Sequence, residues 1–369
     1  MRNPWRLLAW LGVVAVICVL VADGAWWWRH TSQPEYRLRK GQDALRRGDR
    51  DEAERIAQLL IADGQADHAY VLRGAALFQQ QQYDRAVLEL ARVKGRGEVG
   101  VEAALVRGQC LLMLEDYGQA ERALLFVAEK RPDDVTARRC LTGIYFRQGV
   151  PMRALEQATE WGKIEPRNGQ PYQVMGHVHR DLGEAHFPDA IDCYQEALRR
   201  ELPAKAVEEV RHELAACQVR SFRWSDALAV LDGSDPPLPE SAERQALRVR
   251  CLWGLGRADE ARALLDRSLQ DYARCLDLLS IGADVRHADK RFEDAAALLK
   301  RALDLNPHDP ESLHKLALVY EALGRPADAE EQRRREEQTK AMLAEMEKLR
   351  DEAASNPWNA ALRLRLAKL

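Results

Sequence analysis

Apolar residues recur at helical spacing along most of the chain, in segments that come in pairs. The clearest example lies between residues 291 and 324. Its apolar positions are Ala295, Leu298, Leu299, Ala302 and Leu303 in one segment, and Leu313, Leu316, Ala317 and Tyr320 in the next. Pro307 and Pro310 separate the two segments, and Gly324 follows the second, as is usual at helix ends. The pattern predicts two amphipathic helices joined by a short turn.

Small residues mark these predicted helices at a nearly constant period. Neighbouring members of one series lie 33 to 37 residues apart: Ala53, Ala86, Ala120, Ala154, Ala190, Ala227, Ala261, Ala295 and Ala329. A companion series, mostly small, is Gly41, Gly74, Gly108, Thr142, Gly176, Ala215, Val249, Ala283 and Ala317. A generic helical bundle has no reason to keep such a period, so the sequence indicates a tandem array of helix pairs.

This order of residues resembles the tetratricopeptide repeat (TPR), whose helix pairs carry small residues at fixed offsets and end with a proline such as Pro307. The resemblance covers about residues 34–343. It implies an all-α fold, a right-handed α-solenoid of about nine TPR helix pairs. We expect residues 344–369 to continue the last helix and to add a capping helix.

The first 33 residues differ from the array. After a tail of residues 1–6, residues 7–22 are uncharged, and ten of them are Leu, Val or Ile. As a helix, residues 7–28 would be about 33 Å long, which matches a bilayer core of about 30 Å. We therefore predict one transmembrane signal-anchor helix at 7–28, followed by a linker at 29–33. Its membrane-interface residues would be Trp5, Trp26, Trp27 and Trp28. A cleaved signal peptide is the alternative, although no Ala-x-Ala site follows the apolar run.

Composition narrows the classes of function. The 55 basic and 58 acidic side chains are interleaved and give a formal net charge of −3, which argues against a nucleic-acid binder. The seven cysteines contain no Cys-x-x-Cys pair, and Cys110, Cys217 and Cys251 share one repeat position, as small buried residues would. No phosphate-binding loop, zinc-protease or serine-hydrolase motif is present. We expect no enzyme activity, no cofactor and no metal site.

Two regions depart from the regular repeat. At Glu184–Pro188 the turn of the fifth repeat is two residues longer than in the others. His177 and His179 precede it, two positions apart on a helix, and are expected to be surface histidines facing different sides. After Pro326 the last helix should run to about Ala354, with Met342, Met346, Leu349 and Ala353 on one face. Residues 360–369 would then fold back as a cap or begin a further repeat.

In TPR arrays the first helices of successive repeats line a concave groove. The resemblance assigns the following residues to groove positions: Arg139, Phe146, Arg147, His177, Arg180, His212, Arg220, Arg250, Trp253 and His287. His314 maps there too, with the acidic residues Glu209, Glu243, Asp277, Asp284, Glu311 and Glu321. Arginines with aromatic neighbours suit an extended peptide that carries carboxylates, although charged residues on a helix face are often only solvated. Arg139 occupies a basic position of the clamp that holds chaperone C-termini in some TPR domains, but Gly143 occupies the position of its Asn.

The sequence therefore predicts a membrane-anchored TPR scaffold that mediates protein–protein interaction or complex assembly by binding acidic or C-terminal segments of protein partners. An envelope-biogenesis factor on the cytoplasmic side and a non-catalytic accessory subunit of an enzyme are the alternatives. We expect a single-pass membrane protein with its array on the extracytoplasmic (periplasmic) side. The cytoplasmic side stays open, because Arg29, Arg37, Arg39 and Lys40 closely follow the span.

Overall fold

The computed structural model describes residues 33–233, 240–355 and 360–366. In these ranges the regular secondary structure consists of α-helices and one short 3-10 helix, without a β-strand. None of the helices described is both long enough and apolar enough to cross a membrane. The predicted anchor at residues 7–28, with its four interface tryptophans, lies outside the described residues.

The described helices form two compact units that meet in sequence after Val178. The first unit contains α1 (Pro34–Arg46), α2 (Arg50–Ala62), α3 (Ala66–Gln79), α4 (Tyr83–Leu90), α5 (Glu98–Met113), α6 (Tyr117–Lys130), α7 (Val135–Arg147), α8 (Pro151–Ile164) and most of α9 (Gln170–Asp181). The second contains the end of α9, the 3-10 helix Glu184–His186, α10 (Phe187–Leu198), α11 (Ala204–Arg220), α12 (Trp224–Asp232), α13 (Ala242–Gly254), α14 (Ala258–Asp271), α15 (Leu276–Ala288), α16 (Phe292–Leu305), α17 (Pro310–Ala322), α18 (Pro326–Ser355) and α19 (Ala360–Leu366).

Within each unit, several first helices pack on the second helix of their own pair and on the first helix of the next pair. In the first unit α1 contacts α2 and α3, α3 contacts α4 and α5, and α5 contacts α6 and α7. In the second unit α11 contacts α12 and α13, and α13 contacts α14 and α15. Inside each unit these contacts join neighbouring repeats, which is the arrangement expected of an α-solenoid.

Both series of small residues lie at helix–helix contacts, as the period predicts. All nine alanines of the first series are buried, each with at most 2% exposure. Every member of the companion series is buried as well. A Cβ atom at Gly74 would lie 2.5 Å from Cγ of Leu90, and one at Gly108 would lie 2.7 Å from Cγ of Leu124. Only glycine lets the second helix of these two pairs pack this closely on the first.

The turn inside each pair has a recurring backbone conformation. One residue with positive φ lies in each of the nine turns between first and second helices that the structure describes: Gly48, Gln81, Glu115, Gly149, Gly183, Phe222, Gly256, Lys290 and Gly324. The buried alanine follows this residue by five positions in eight pairs and by seven in the fifth. The two extra residues predicted for the fifth repeat are therefore confirmed, and they lie in the turn that contains the 3-10 helix.

The C-terminal helices follow the pattern read from the sequence. The last helix of the array, α18, continues to Ser355, one residue beyond the predicted end. On its later turns Leu349 is buried, while Met342 and Met346 are half-buried. The short helix α19 packs against α18, and Arg365 Nη2 lies 3.0 Å from Glu345 Oε1.

Candidate partner-binding surfaces

The ten groove residues predicted from the sequence all lie on first helices, but they belong to both units. Arg139, Phe146 and Arg147 on α7 and His177 on α9 lie in the first unit. The second unit contains Arg180 on α9, His212 and Arg220 on α11, Arg250 and Trp253 on α13, and His287 on α15. The residues of the first unit differ sharply in their contacts from those of the second unit.

The surface of α7 carries two arginines beside an exposed aromatic ring. Arg139 and Phe146 are seven residues apart and so share one face of the helix. Phe146 is 37% exposed, and its ring centroid lies 6.5 Å from that of His177. Gly143 lies between Arg139 and Phe146 on this helix, and a Cβ atom there would have no other atom within 4 Å. The face is therefore open above the helix backbone.

Two of the three arginines of α7, Arg139 and Arg147, have few partners of their own. Within the described residues neither Arg139 nor Arg147 forms an ion pair, and both side chains are exposed. Hydrogen bonds from Trp161 and Asn168 lower the pKa of the Glu165 carboxyl, and the positive charge of Arg139 adds a smaller effect. Two guanidinium groups are thus available to an external carboxylate.

The arginines at the start of the second unit are instead held by internal partners. Arg180 contacts Glu213 at 2.7 Å and Asp181 at 2.8 Å. Burial alone would lower the pKa of Arg180, but the hydrogen bonds to these two carboxylates raise it above its usual value. Arg220 lies 3.3 Å from Glu184 and 5.0 Å from the centre of the Phe187 ring. A ligand carboxylate would have to displace these contacts.

The remaining candidates of the second unit also contact their own fold. Trp253 packs against the core, with the guanidinium of Arg262 5.7 Å from its ring centre. The ring of His287 lies 5.3 Å from that of Phe292. Arg250 and His212 are half-buried. His314 Nδ1 lies 3.2 Å from Glu336 of α18.

Lys315 is a central residue of this surface that sequence reasoning missed. Its Nζ lies 2.8 Å from Asp284, 2.7 Å from Glu311 and 2.8 Å from the hydroxyl of Ser280. The hydrogen bond from Lys315 lowers the pKa of the Glu311 carboxyl, with a smaller contribution from Arg250. The sequence did contain one sign of this contact, because Glu311 and Lys315 are four residues apart on one helix and are therefore neighbours on its surface. Two of the acidic positions predicted here, Asp284 and Glu311, are therefore paired with this ammonium group.

A second network that the sequence did not reveal joins first helices two pairs apart. Gln42 Nε2 on α1 donates to Glu102 Oε1 on α5 at 3.0 Å. Glu102 also accepts from Arg131 at 3.2 Å, and Arg131 contacts Glu98 and Asp134 as well. Side chains of α1 and α5 can meet only on a side of the unit where first helices converge. The first helices therefore line the inner side of this part of the first unit.

Comparison with known families gives two partial matches. Residues 286–332 match the family described as tetratricopeptide repeat. Residues 47–127 match the family described as anaphase-promoting complex, cyclosome, subunit 3. No curated protein matches the chain. The matches support a tetratricopeptide repeat protein.

A solved TPR structure agrees with this assignment of the fold. The C-terminal part of a TPR repeat-containing protein from Cytophaga hutchinsonii aligns over 67% of this chain and 99% of its own, with 16% identity and a TM-score of 0.53. A TPR protein from Parabacteroides merdae aligns over 78% and 98%, with 14% identity and a TM-score of 0.42. At these identities the likeness concerns the fold alone. The TPR fold supports a scaffold for protein–protein interaction.

Proposed function

We propose that this chain is a TPR scaffold that binds an acidic or C-terminal segment of a protein partner on the α7 face formed by Arg139, Gly143, Phe146 and Arg147. The observation that carries the proposal is the pair of exposed arginines, without ion pairs to any described residue, beside an exposed phenylalanine. Guanidinium groups bind carboxylates in a bidentate manner, and an exposed ring gives an apolar contact for a neighbouring side chain. Of the ten groove residues expected from the sequence, the proposal keeps only those of the first unit: Arg139, Phe146, Arg147 and His177.

The ligand is placed on the α7 face because two of the candidate arginines of the second unit already form ion pairs inside their own unit. Arg180 and Arg220 already contact carboxylates of their own unit, and breaking such pairs opposes binding. His177 borders the α7 face through its ring contact with Phe146. It would flank a peptide that lies along α7.

Binding of synthetic peptides tests this proposal. Three labelled ten-residue peptides would be titrated into the full-length protein: one rich in Asp and Glu with a free C-terminus, its amidated form, and a neutral one. We expect the acidic peptide with a free C-terminus to bind best. The double variant Arg139→Glu/Arg147→Glu should weaken it about tenfold or more, because each charge-assisted hydrogen bond contributes about 1.5–3 kcal/mol.

The double variant Arg47→Glu/Arg122→Glu is the matched control. Both arginines are exposed and lie in the same unit, but neither is on α7. Their substitution by glutamate changes the net charge by the same amount as the α7 variant does. If this control weakens binding as much as the α7 variant, only net charge matters and the proposed face is wrong. Equal affinity of the wild type for all three peptides would also contradict the proposal.

We further propose that residues 7–28 anchor the scaffold in a membrane, with the repeats on the extracytoplasmic side. The support is the uncharged, Leu- and Val-rich sequence of that segment and its flanking tryptophans. Full-length protein should remain with the membrane after an alkaline wash, and protease added to spheroplasts should digest the array. Soluble protein with an intact N-terminus would contradict the anchor, and a mature N-terminus near Trp26 would indicate a signal peptide.

A further inference from the structure

The fifth helix pair has a turn that no other described pair shares. In the other eight pairs the buried alanine lies five residues after the residue with positive φ, but here Ala190 lies seven residues after Gly183. The added length forms the 3-10 helix Glu184–His186 directly before α10. An extended turn at one position of a regular array needs its own physical reason.

The added turn brings a second histidine against α9. The rings of His179 on α9 and His186 in the 3-10 helix have centroids 6.0 Å apart. Asp189, in the first turn of α10, lies between them: its Oδ2 is 3.3 Å from Nδ1 of His186 and 3.8 Å from Nδ1 of His179. One ligand atom from each of the three residues lies within 4.8 Å of the other two.

These separations agree with a shared metal ion. Nitrogen and oxygen ligands of a tetrahedral zinc ion lie about 2.0–2.2 Å from the metal, and hence about 3.3–3.5 Å from one another. The two distances to Asp189, 3.3 and 3.8 Å, are close to this spacing, and the two histidine nitrogens lie within 4.8 Å of each other.

A second observation, the buried Nδ1 atom of His179, also indicates a ligand at this site. Its Nδ1 is buried, and among the described residues it has no hydrogen-bond partner, because 3.8 Å to Asp189 is too long for one. A buried polar atom in a folded protein nearly always has a partner. Burial also lowers the pKa of the His179 imidazole.

We propose that His179, His186 and Asp189 form a binding site for a divalent transition metal, with Zn²⁺ as the ion that fits best. Two imidazoles and one carboxylate are ligands for zinc and its neighbours, whereas Mg²⁺ and Ca²⁺ prefer all-oxygen sites. The His186 and Asp189 side chains are 44% and 57% exposed, so a fourth position is open to water or to a side chain of a partner. Sequence reasoning places His179 on the surface, whereas its side chain is only 19% exposed.

Zinc titration of the full-length protein tests the site. The protein would be stripped of metal with EDTA, desalted with a reductant present, and titrated calorimetrically with ZnCl₂ and separately with MgCl₂. We expect one zinc ion per chain with a dissociation constant in the micromolar range or below, and no heat from magnesium. His186→Asn and Asp189→Asn should each weaken zinc binding at least tenfold.

His308→Asn is the matched control, because it removes an exposed histidine of the same unit that lies outside the cluster. It should leave zinc affinity unchanged. Circular dichroism during heating would verify that all three variants remain folded. Absence of stoichiometric zinc in the wild type would overturn the proposal and leave an ordinary histidine–aspartate pair. Unchanged affinity in both His186→Asn and Asp189→Asn would overturn it too, since the metal would then bind elsewhere.

Discussion

At the scale of single residues, glycine has two opposite roles in the first helices. Gly74 and Gly108 lie where a second helix packs so closely that a Cβ would overlap a leucine side chain. At Gly143, by contrast, a Cβ would meet open space in the middle of α7. The first two glycines are needed for packing, whereas Gly143 only weakens its helix or leaves room for a ligand.

The substitutions Gly108→Ala and Gly143→Ala should therefore change stability in opposite directions. Gly108→Ala forces Leu124 away and should destabilise the protein by about 1–3 kcal/mol. Gly143→Ala should stabilise it by about 0.5–1 kcal/mol, because alanine is the better helix former and meets no neighbour. Urea unfolding followed by circular dichroism measures both. Equal effects of the two changes would mean that the assignment of close contacts is wrong.

The buried cysteines illustrate how the same packing controls reactivity. Cys110, Cys217 and Cys251 are at most 1% exposed, which confirms their interpretation as small buried residues. Burial raises the pKa of the Cys110 and Cys251 thiols to about 12 and that of Cys217 to about 11. Because only the thiolate reacts, these three residues should be inert in the folded protein.

Alkylation with iodoacetamide at pH 8 followed by mass spectrometry checks this expectation. The three buried thiols should remain unmodified in the native protein and react once urea unfolds it. A thiol with raised pKa keeps its proton in the folded state while the unfolded state loses it. Stability should therefore fall as the pH rises from about 9 toward 12. Rapid native labelling of Cys110 or Cys251 would contradict their burial.

At the scale of the helix pair, the turn conformation sets the crossing of the two helices. Five of the nine residues with positive φ are glycines, but Gln81, Glu115, Phe222 and Lys290 adopt the same conformation. A residue with a side chain is strained there by roughly 1 kcal/mol. The array tolerates this strain because packing on both sides holds the turn in place.

Lys290→Gly should relieve that strain and stabilise the protein by about 0.5–1 kcal/mol. Ala297→Gly, at an exposed interior position of the neighbouring helix α16, is the control. It should destabilise the protein by about 1 kcal/mol, since glycine is a poor helix former. Thermal unfolding of the two variants beside the wild type distinguishes them. A loss of stability in Lys290→Gly would show that the turn is not strained.

The helix pairs were predictable because their signal is periodic. The alanine series gave the positions of nearly every pair, since each alanine occupies the same close contact. Long-range partners have no such period. Nothing in the spacing of Arg180 and Glu213 indicates that they pair, and the approach of His186 to His179 depends on the shape of one extended turn. The sequence therefore predicts which residues lie on first helices, but not which of them have internal partners.

At the scale of the whole molecule, positive and negative charges are nearly balanced in number, but the arginines differ in whether they form ion pairs. The net charge is −3, and many arginines form pairs with carboxylates three or four residues away on the same helix. Arg139 and Arg147 lack such pairs within the described residues. The proposed binding of acidic segments should therefore weaken as salt is added, because ions screen exposed charges beyond about 8–10 Å.

The most direct test of the scaffold function is a quantitative capture of partners from native membranes. Full-length wild type, the Arg139→Glu/Arg147→Glu variant and the Arg47→Glu/Arg122→Glu control would be immobilised side by side and eluted with a salt gradient. We predict that wild type and control recover the same proteins, that the α7 variant loses them, and that moderate salt releases them. Recovery of the same partners at equal yield by all three proteins would contradict the account.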